Sequence, residues 1–147
     1  MITLRSFTIE DAPYLQERYS GLSREQIEEM IHEWNRGEFN DKYFEILAIL
    51  SDERIVGTIS LYQHSIEVIS IGPEVFEPYR KNGYGKEAMA QACKKAAENG
   101  YKIVSQQIRT DNVASLALHS SLGFATNGSV YTNAKGNQVY IYLKSLI

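Results

Sequence analysis

Residues 80–86 combine glycine with positive charge in the sequence Arg-Lys-Asn-Gly-Tyr-Gly-Lys, directly ahead of a predicted helix. A helix N-terminus presents unpaired N–H groups and the positive end of the helix dipole, and both attract anions. Gly83 and Gly85 allow the main chain to approach a ligand closely, and three basic side chains add charge. We therefore predict that this segment binds a phosphate group.

Two common phosphate-binding motifs fit the segment poorly. A P-loop has four residues between its glycines and then Gly-Lys-Ser/Thr, whereas here Glu87 follows Gly85 and Lys86. Ala88 would complete a dinucleotide-binding fingerprint, but that motif should follow the first strand of a parallel βαβ unit. The segment instead follows a third predicted strand, after a hairpin. We therefore expect a different phosphate-containing ligand.

A second motif lies further along the chain, on a short predicted helix and the turn after it. Its residues are Asn112, Ser115, Leu118, His119, Gly123 and Phe124. Together with Arg80, Gly83 and Gly85, spaced as Arg-x-x-Gly-x-Gly, this motif resembles the signatures of the GNAT superfamily of N-acetyltransferases. The resemblance covers nearly the whole chain and is strongest over residues 66–124.

The resemblance implies an N-acetyltransferase that moves the acetyl group of acetyl-CoA to a primary amine by direct attack. The acceptor would be a small molecule or a protein N-terminus, with acetyl-CoA as cosubstrate and no metal ion. In this family pantetheine lies in the gap beside a diverging strand, and the pyrophosphate lies against the glycine-containing loop. The implied cofactor contacts are Val75, Phe76, Arg80, Lys81, Asn82, Gly83, Tyr84, Gly85, Lys86, Asn112 and Ser115.

The reaction needs a base, because an ammonium group has no lone pair with which to attack the thioester. We expect Glu67, on the central strand, to fill this role directly or through water, with Glu74 as the second candidate. Some relatives carry a glutamate on the following strand, two residues before the Arg of an Arg-x-x-Asn stretch. Gln107 occupies that position here and cannot accept a proton at useful pH.

The reaction also benefits from an acid near the leaving sulfur. We expect His119 in this role, at a position where many relatives have tyrosine, because a histidine with a pKa of roughly 6.5 can donate a proton. Tyr131, on a later strand, is the alternative acid. His32 and His64 lack the spacing of metal ligands.

For the acceptor site we expect the first two helices and the loop between them, near Tyr19, Leu22 and Trp34, with the C-terminal hairpin closing it. Trp34 would alternatively complete the apolar stripe of its helix. The 10 tyrosines indicate either a polar aromatic pocket or a dimer surface, so both monomer and homodimer stay open.

Two other classes of protein share some of these features. One is a non-catalytic acyl-CoA-binding or regulatory module, which Gln107 and His119 keep open because neither supplies the usual catalytic group. The other is a nucleotide-binding domain, which would bind ATP or NAD as well as acetyl-CoA.

The elements that must position these residues alternate between helices and strands in the order β-α-α-β-β-β-α-β-α-β-β. This order predicts an α/β (α+β) fold with a mixed, mostly antiparallel sheet of about 6–7 strands and about four helices, in a single domain over residues 1–147. Gly72 and Pro73 interrupt the third strand of the central run, which indicates a bulge or an unpaired edge. The predicted strands are 2–7, 44–50, 55–62, 66–76, 103–109, 129–132 and 138–143, and the predicted helices are 8–19, 23–37, 84–99 and 113–121.

Composition excludes several classes of protein. The net charge of −3 over 147 residues gives no basic footprint for nucleic acid. No apolar run approaches the length of a membrane span, and the first residues do not have the pattern of a signal peptide. Cys93 is the only cysteine and lies among small apolar residues at helical spacing, so we expect a buried helix residue and a cytoplasmic protein.

Overall fold

The computed structural model describes residues 1–147 and contains one eight-stranded sheet. The strands follow the period-2 alternation of apolar residues that the sequence shows. They are β1 (Ile2–Ser6), β2 (Glu38–Phe39), β3 (Lys42–Ser51), β4 (Arg54–Gln63), β5 (Val68–Val75), β6 (Ile103–Arg109), β7 (Tyr131–Thr132) and β8 (Gln138–Ser145).

Four α-helices accompany the sheet, together with two single 3-10 turns at residues 9–11 and 77–79. The second helix begins with a capping box, in which the Ser23 hydroxyl and the Gln26 side chain each accept the other residue's main-chain N–H. The helices are α1 (Ala12–Arg18), α2 (Arg24–Trp34), α3 (Tyr84–Glu98) and α4 (Val113–Ser121).

The sheet has the order β1-β3-β4-β5-β6-β8-β7, with β2 paired to β3. Every pair is antiparallel except β5 with β6, which is parallel. The predicted mixed, mostly antiparallel α/β fold is therefore confirmed. Strand β2 was not predicted, because two residues are too few for an alternating pattern to be visible.

Helices cover both faces of the sheet, and alternate residues of each strand serve the two sides. On β3, Leu47 and Ile49 belong to the larger apolar core under α3, whereas Ala48 and Leu50 belong to the smaller core under α1 and α2. Trp34 packs against Phe7 with ring centroids 5.0 Å apart, so it completes the smaller core.

Strands β5 and β6 pair only at their beginnings, through Val68 with Ile103 and Ile69 with Val104. Beyond these pairs the two strands diverge, while β5 stays paired with β4 through to Val75 without a register shift. The predicted bulge at Gly72 and Pro73 is therefore wrong, and the alternative of an unpaired edge is confirmed. That edge faces β6, so the missing N–H of Pro73 costs the sheet no hydrogen bond.

Candidate active site

The first of two cavities lies between the end of β5, the loop before α3 and the start of α4. We call this space of about 750 Å³ the loop cavity. The structure brings most of the predicted cofactor contacts together in its wall. They are Val75, Arg80, Lys81, Gly83, Tyr84, Gly85, Lys86, Asn112 and Ser115.

The start of α3 supplies unpaired donors to this cavity. Gly83 has a φ of 77°, a left-handed conformation that favours glycine, and it turns the chain into the helix. The hydrogen bond from the Glu87 N–H to the Gly83 carbonyl, 3.2 Å long, opens the helical ladder. The N–H groups of the three residues between them therefore precede the first helical bond and are available to an anion.

Asn82 shapes the loop rather than lining the cavity. Its Nδ2 donates to the carbonyls of Tyr79 and Arg80, at 3.0 and 3.2 Å. The Arg80 Nε in turn donates to the Val75 carbonyl at 2.9 Å, which ties the loop to the end of β5. The predicted contact of Asn82 with the cofactor therefore gains no support from this geometry, because the amide Nδ2 is engaged within the loop.

Phe76 lies in the smaller core and does not line the loop cavity. Its ring is buried beneath the Arg18 guanidinium, 4.2 Å from the ring centroid, and its N–H donates to the Val56 carbonyl at 2.9 Å. The Phe76 side chain is therefore not available to the cofactor, because strand alternation sends it to the face that carries α1, and any contact there would be through the main chain. Val75 lies on the other face, against Gly85.

A second cavity, of about 720 Å³, lies on the face of the sheet that carries α1 and α2, and we call it the sheet cavity. Its polar wall comes from side chains that alternate with core residues along β4, β5 and β6. They are Ser60, Tyr62, His64, Ser70, Ser105 and Gln107. Pro73, Ser115 and His119 line both cavities, so the two spaces meet in the opening between β5 and β6.

A glutamine side chain spans this opening. The Gln106 Oε1 accepts the Ile71 N–H at 2.9 Å, and its Nε2 contacts the Ile71 carbonyl and, at 3.2 Å, the His119 Nε2. Gln106 thus satisfies the two main-chain groups that β6 would bond if the strands stayed paired. Sequence reasoning missed it, although a glutamine between Val104 and Ile108, at positions that alternate into the core, was a visible signal.

The same contacts define the state of His119, which is 3 % exposed. Because the Gln106 amide donates to it, the His119 Nε2 acts as acceptor, while its Nδ1–H donates to the Ser115 carbonyl at 2.8 Å. Burial lowers the pKa of His119, against a smaller opposing effect of the Ser115 bond. The geometry therefore does not support the predicted acid role, because the lowered pKa disfavours the protonated ring and both ring nitrogens are engaged.

A similar contact joins β5 and β6 on the opposite face of the sheet. The Ser70 hydroxyl donates to the Ser105 carbonyl at 2.5 Å and lies 2.5 Å from the His64 Nε2. Because the Ser70 hydroxyl uses its hydrogen in the bond to the Ser105 carbonyl, it accepts a hydrogen bond from the His64 Nε2–H. The neutral His64 ring then carries no proton on Nδ1. Burial, and secondarily the charge of Lys42, lower the pKa of His64.

Glu67 lies far from the opening, in the turn before β5. Its carboxylate forms an ion pair with Lys102 at 2.7 Å, and its carbonyl accepts the main-chain N–H of Lys102 and of Ile103. Five residues of strand, or about 16 Å, separate it from Gly72. The geometry therefore does not support Glu67 as the base, because β5 begins one residue later and the strands part at its other end.

Glu74 is the only carboxylate in the wall of either cavity, and it follows Pro73 at the opening. Burial, and secondarily the charge of Glu74, raise the pKa of Tyr19. The alternative acid Tyr131 is exposed on β7, where the Asn127 amide contacts its hydroxyl, and it lines neither cavity.

The predicted acceptor site on the first two helices is also corrected. No residue of α1 or α2 lines either cavity, and Tyr19, Leu22 and Trp34 pack against the smaller core. The apolar stripes of these helices are used to cover the sheet, so the open space lies beyond them, over β4, β5 and β6.

The family model of the acetyltransferase (GNAT) domain matches residues 2–125. The chain belongs to the GNAT family of acetyltransferases. This confirms the resemblance that the motifs around Gly83 and Asn112 indicate. No group of three or more metal-ligating side chains occurs in this GNAT protein, and none of its helices has the length and apolar character needed to cross a membrane.

One relative is the SPbeta prophage-derived uncharacterized N-acetyltransferase YokL of Bacillus subtilis, with 30 % identity over 103 residues. The match covers 68 % of this GNAT chain and 58 % of the relative, so the chain spans less than two thirds of that protein's length.

Several solved structures share the fold. The microcin C7 self-immunity acetyltransferase MccE, solved with acetyl-CoA and AMP, has a TM-score of 0.80 and 21 % identity, covering 98 % of this chain and 92 % of that one. The spermidine N-acetyltransferase of Vibrio cholerae, solved with CoA and spermine, has a TM-score of 0.76 and 12 % identity, covering 99 % of this chain and 95 % of that one. The ribosomal L7/L12 alpha-N-protein acetyltransferase RimL has a TM-score of 0.77 and 20 % identity, covering 99 % of this chain and 93 % of that one.

Proposed function

We propose that residues 1–147 act as one acetyl-CoA-dependent N-acetyltransferase domain that acetylates a primary amine by direct attack. The observation that carries the proposal is the meeting of the two cavities at Pro73, Ser115 and His119. One cavity has a basic, glycine-containing loop that would bind the phosphates of acetyl-CoA, and the other would take the second substrate. Two reactants that enter from opposite sides of the opening would meet there. Holding them together makes the reaction between them effectively intramolecular.

In the loop cavity, the pyrophosphate of acetyl-CoA would accept hydrogen bonds from the main-chain N–H groups of Tyr84, Gly85 and Lys86. Arg80, Lys81 and Lys86 supply the compensating charge. The pantetheine arm would follow the unpaired edge of β5 toward the opening. Asn112, which caps α4 by accepting the Ser115 N–H at 3.1 Å, and Ser115 itself would form the opposite wall.

Glu74, which lines the loop cavity next to Pro73, would accept the proton of the acceptor amine. The freed lone pair attacks the thioester carbon, and the carbonyl oxygen becomes negatively charged. The Val75 N–H, on the edge of β5 that faces β6, would stabilise that charge. As the intermediate collapses the carbon–sulfur bond breaks, and the departing sulfur would take the remaining extra proton of the attacking nitrogen and leave as the CoA thiol. The Ser115 hydroxyl would donate a hydrogen bond to this sulfur as its negative charge develops.

One observation favours a second candidate, a non-catalytic acyl-CoA-binding module. His119 is neutral with both nitrogens engaged, and Gln107 is no base, so neither position supplies a proton-transfer group. A panel of primary amines, assayed by release of the CoA thiol, separates the two. Turnover on any amine supports the transferase, whereas tight acetyl-CoA binding with no turnover on all of them supports the module.

A thermal-shift comparison tests the cofactor independently of turnover. We expect acetyl-CoA and CoA to raise the melting temperature, because a ligand that binds only the folded state stabilises it. ATP and NAD should raise it much less. Equal protection by all four compounds would contradict the assignment of the loop cavity to CoA.

We further infer a cytoplasmic location, which the state of the cysteine supports. Cys93 is unpaired and buried in α3, and burial raises the pKa of its thiol, so the chain gains nothing from an oxidising compartment. Sedimentation would distinguish a monomer from a homodimer.

A further inference from the structure

The wall of the sheet cavity carries no charged residue type. None of its 15 lining residues is Asp, Glu, Lys or Arg. Its two histidines, His64 and His119, both have lowered pKa values because partial or full desolvation disfavours the charged ring, and the charge of Lys42 acts in the same direction on His64, so neither adds a positive charge at pH 7. The lining of the sheet cavity therefore carries no carboxylate and no formal charge of its own. Glu74 lines the adjoining loop cavity, and the nearby Lys42 ammonium, which donates to the His64 carbonyl at 3.0 Å, is a cation.

The same wall is rich in neutral hydrogen-bonding groups. The His64 Nδ1 is a free acceptor, because its Nε2 is held by Ser70. The Gln107 amide accepts from Asn133 at 3.4 Å through its Oε1, which leaves its two N–H groups unused. Ser60 adds a hydroxyl on β4, and the Tyr62 ring supplies an apolar surface beside them.

This inventory discriminates between classes of amine. A polyamine would bring one or more further ammonium groups into a cavity that has no carboxylate to pair with them. Moving an unpaired cation out of water is costly, and such a site rejects it. An acceptor that carries hydroxyl groups would instead replace its hydrogen bonds to water by hydrogen bonds to His64, Gln107 and Ser60.

We propose that the acceptor is a small primary amine that carries several hydroxyl groups and no second charged group, such as an amino sugar or an amino alcohol. The proposal rests on the proposed acetyltransferase function, because it assigns the second substrate of that reaction. It sets this chain apart from a fold neighbour whose structure was solved with spermine.

The test is a comparison of kcat/KM, with acetyl-CoA fixed at saturation, among three arms. They are glucosamine with 2-amino-1,3-propanediol, spermidine with putrescine, and a peptide with a free N-terminus. We expect the hydroxylated amines to exceed the other arms by at least tenfold. A preference for polyamine or peptide would overturn this inference while leaving the acetyltransferase function intact. Acetyl-CoA binding without turnover in any arm would overturn the proposed function, and this inference with it.

A designed change of charge gives a second readout. Gln107→Glu introduces a carboxylate into the neutral wall and should raise kcat/KM for spermidine relative to glucosamine by about tenfold. Gln138→Glu, the same substitution on the exposed part of β8 outside both cavities, is the matched control and should leave that ratio unchanged. An unchanged ratio in Gln107→Glu would contradict the assignment of the sheet cavity to the acceptor.

Discussion

The side-chain amide of Gln106 bonds both main-chain groups of Ile71, the residue of β5 at which the strands have already parted. Gln106 is 7 % exposed, and its second N–H contacts His119. This side chain holds β5 and β6 at a fixed separation, so the opening between the two cavities is part of the folded core rather than a flexible gap.

Gln106→Leu should destabilise the protein, because it leaves the Ile71 N–H and carbonyl buried without partners. Each unsatisfied group costs about 1–3 kcal/mol, so we expect a loss of at least about 2 kcal/mol. Urea unfolding measures it. Gln107→Leu, on the same strand but solvent-exposed, should stay within about 0.5 kcal/mol of the wild type. Equal losses in the two variants would argue against the bridging role.

Stability should fall as the pH drops from 7 to 5. The folded-state pKa values of His119 and His64 are lowered, so the unfolded chain binds more protons in this range. Their contribution is complete above the unfolded pKa of roughly 6.5 and is lost as the pH falls toward the folded values. Denaturant unfolding at several pH values tests this.

The histidines can be separated by substitution. His119→Gln should flatten the slope of unfolding free energy against pH between 5 and 7, leaving the part of the slope that comes from His64. A slope that His119→Gln leaves unchanged would show that His119 binds protons equally in the folded and unfolded states, which contradicts a lowered pKa in the folded protein.

Gly83→Asp should weaken acetyl-CoA binding by at least tenfold, because it places a carboxylate beside the predicted pyrophosphate site. Gly83→Asn is the matched control: asparagine tolerates the left-handed conformation, adds no charge, and a Cβ there meets no atom within 4 Å. Titration calorimetry gives both affinities. Equal weakening by Asn and Asp would point to the backbone rather than to charge.

Glu74→Gln should lower kcat by about 10²-fold or more, the usual contribution of a general base, with little change in acetyl-CoA affinity. Glu67→Gln is the control of the same chemistry, and its kcat should match the wild type because Glu67 is paired with Lys102. The pair of variants is read by steady-state kinetics and calorimetry. If only Glu67→Gln slows turnover, the assignment of the base is wrong.

The sequence predicted well what depends on neighbours along the chain. The loop around Gly83 and the cap at Asn112 were found because helix N-termini and glycine conformations are local properties. The strands and helices followed from apolar periodicity, apart from the short strand β2.

What the sequence could not provide was the partnership of residues distant along the chain. Glu67 and Glu74 flank the same strand, and only the point where β6 leaves β5 decides which of them reaches the opening. His119 could be an acid until Gln106, on another element, is seen to occupy its Nε2. Phe76 and Asn82 share the motif's sequence, but their side chains are engaged by α1 and by the loop itself.

Pro73 has a further consequence for the behaviour of the protein in solution. An open sheet edge of free donors and acceptors invites a strand from another molecule, which leads to aggregation. Pro73 lies in the middle of that open edge and offers no donor there. Pro73 therefore also disfavours the addition of a strand from another molecule at this edge, because that strand would lack a donor opposite Pro73.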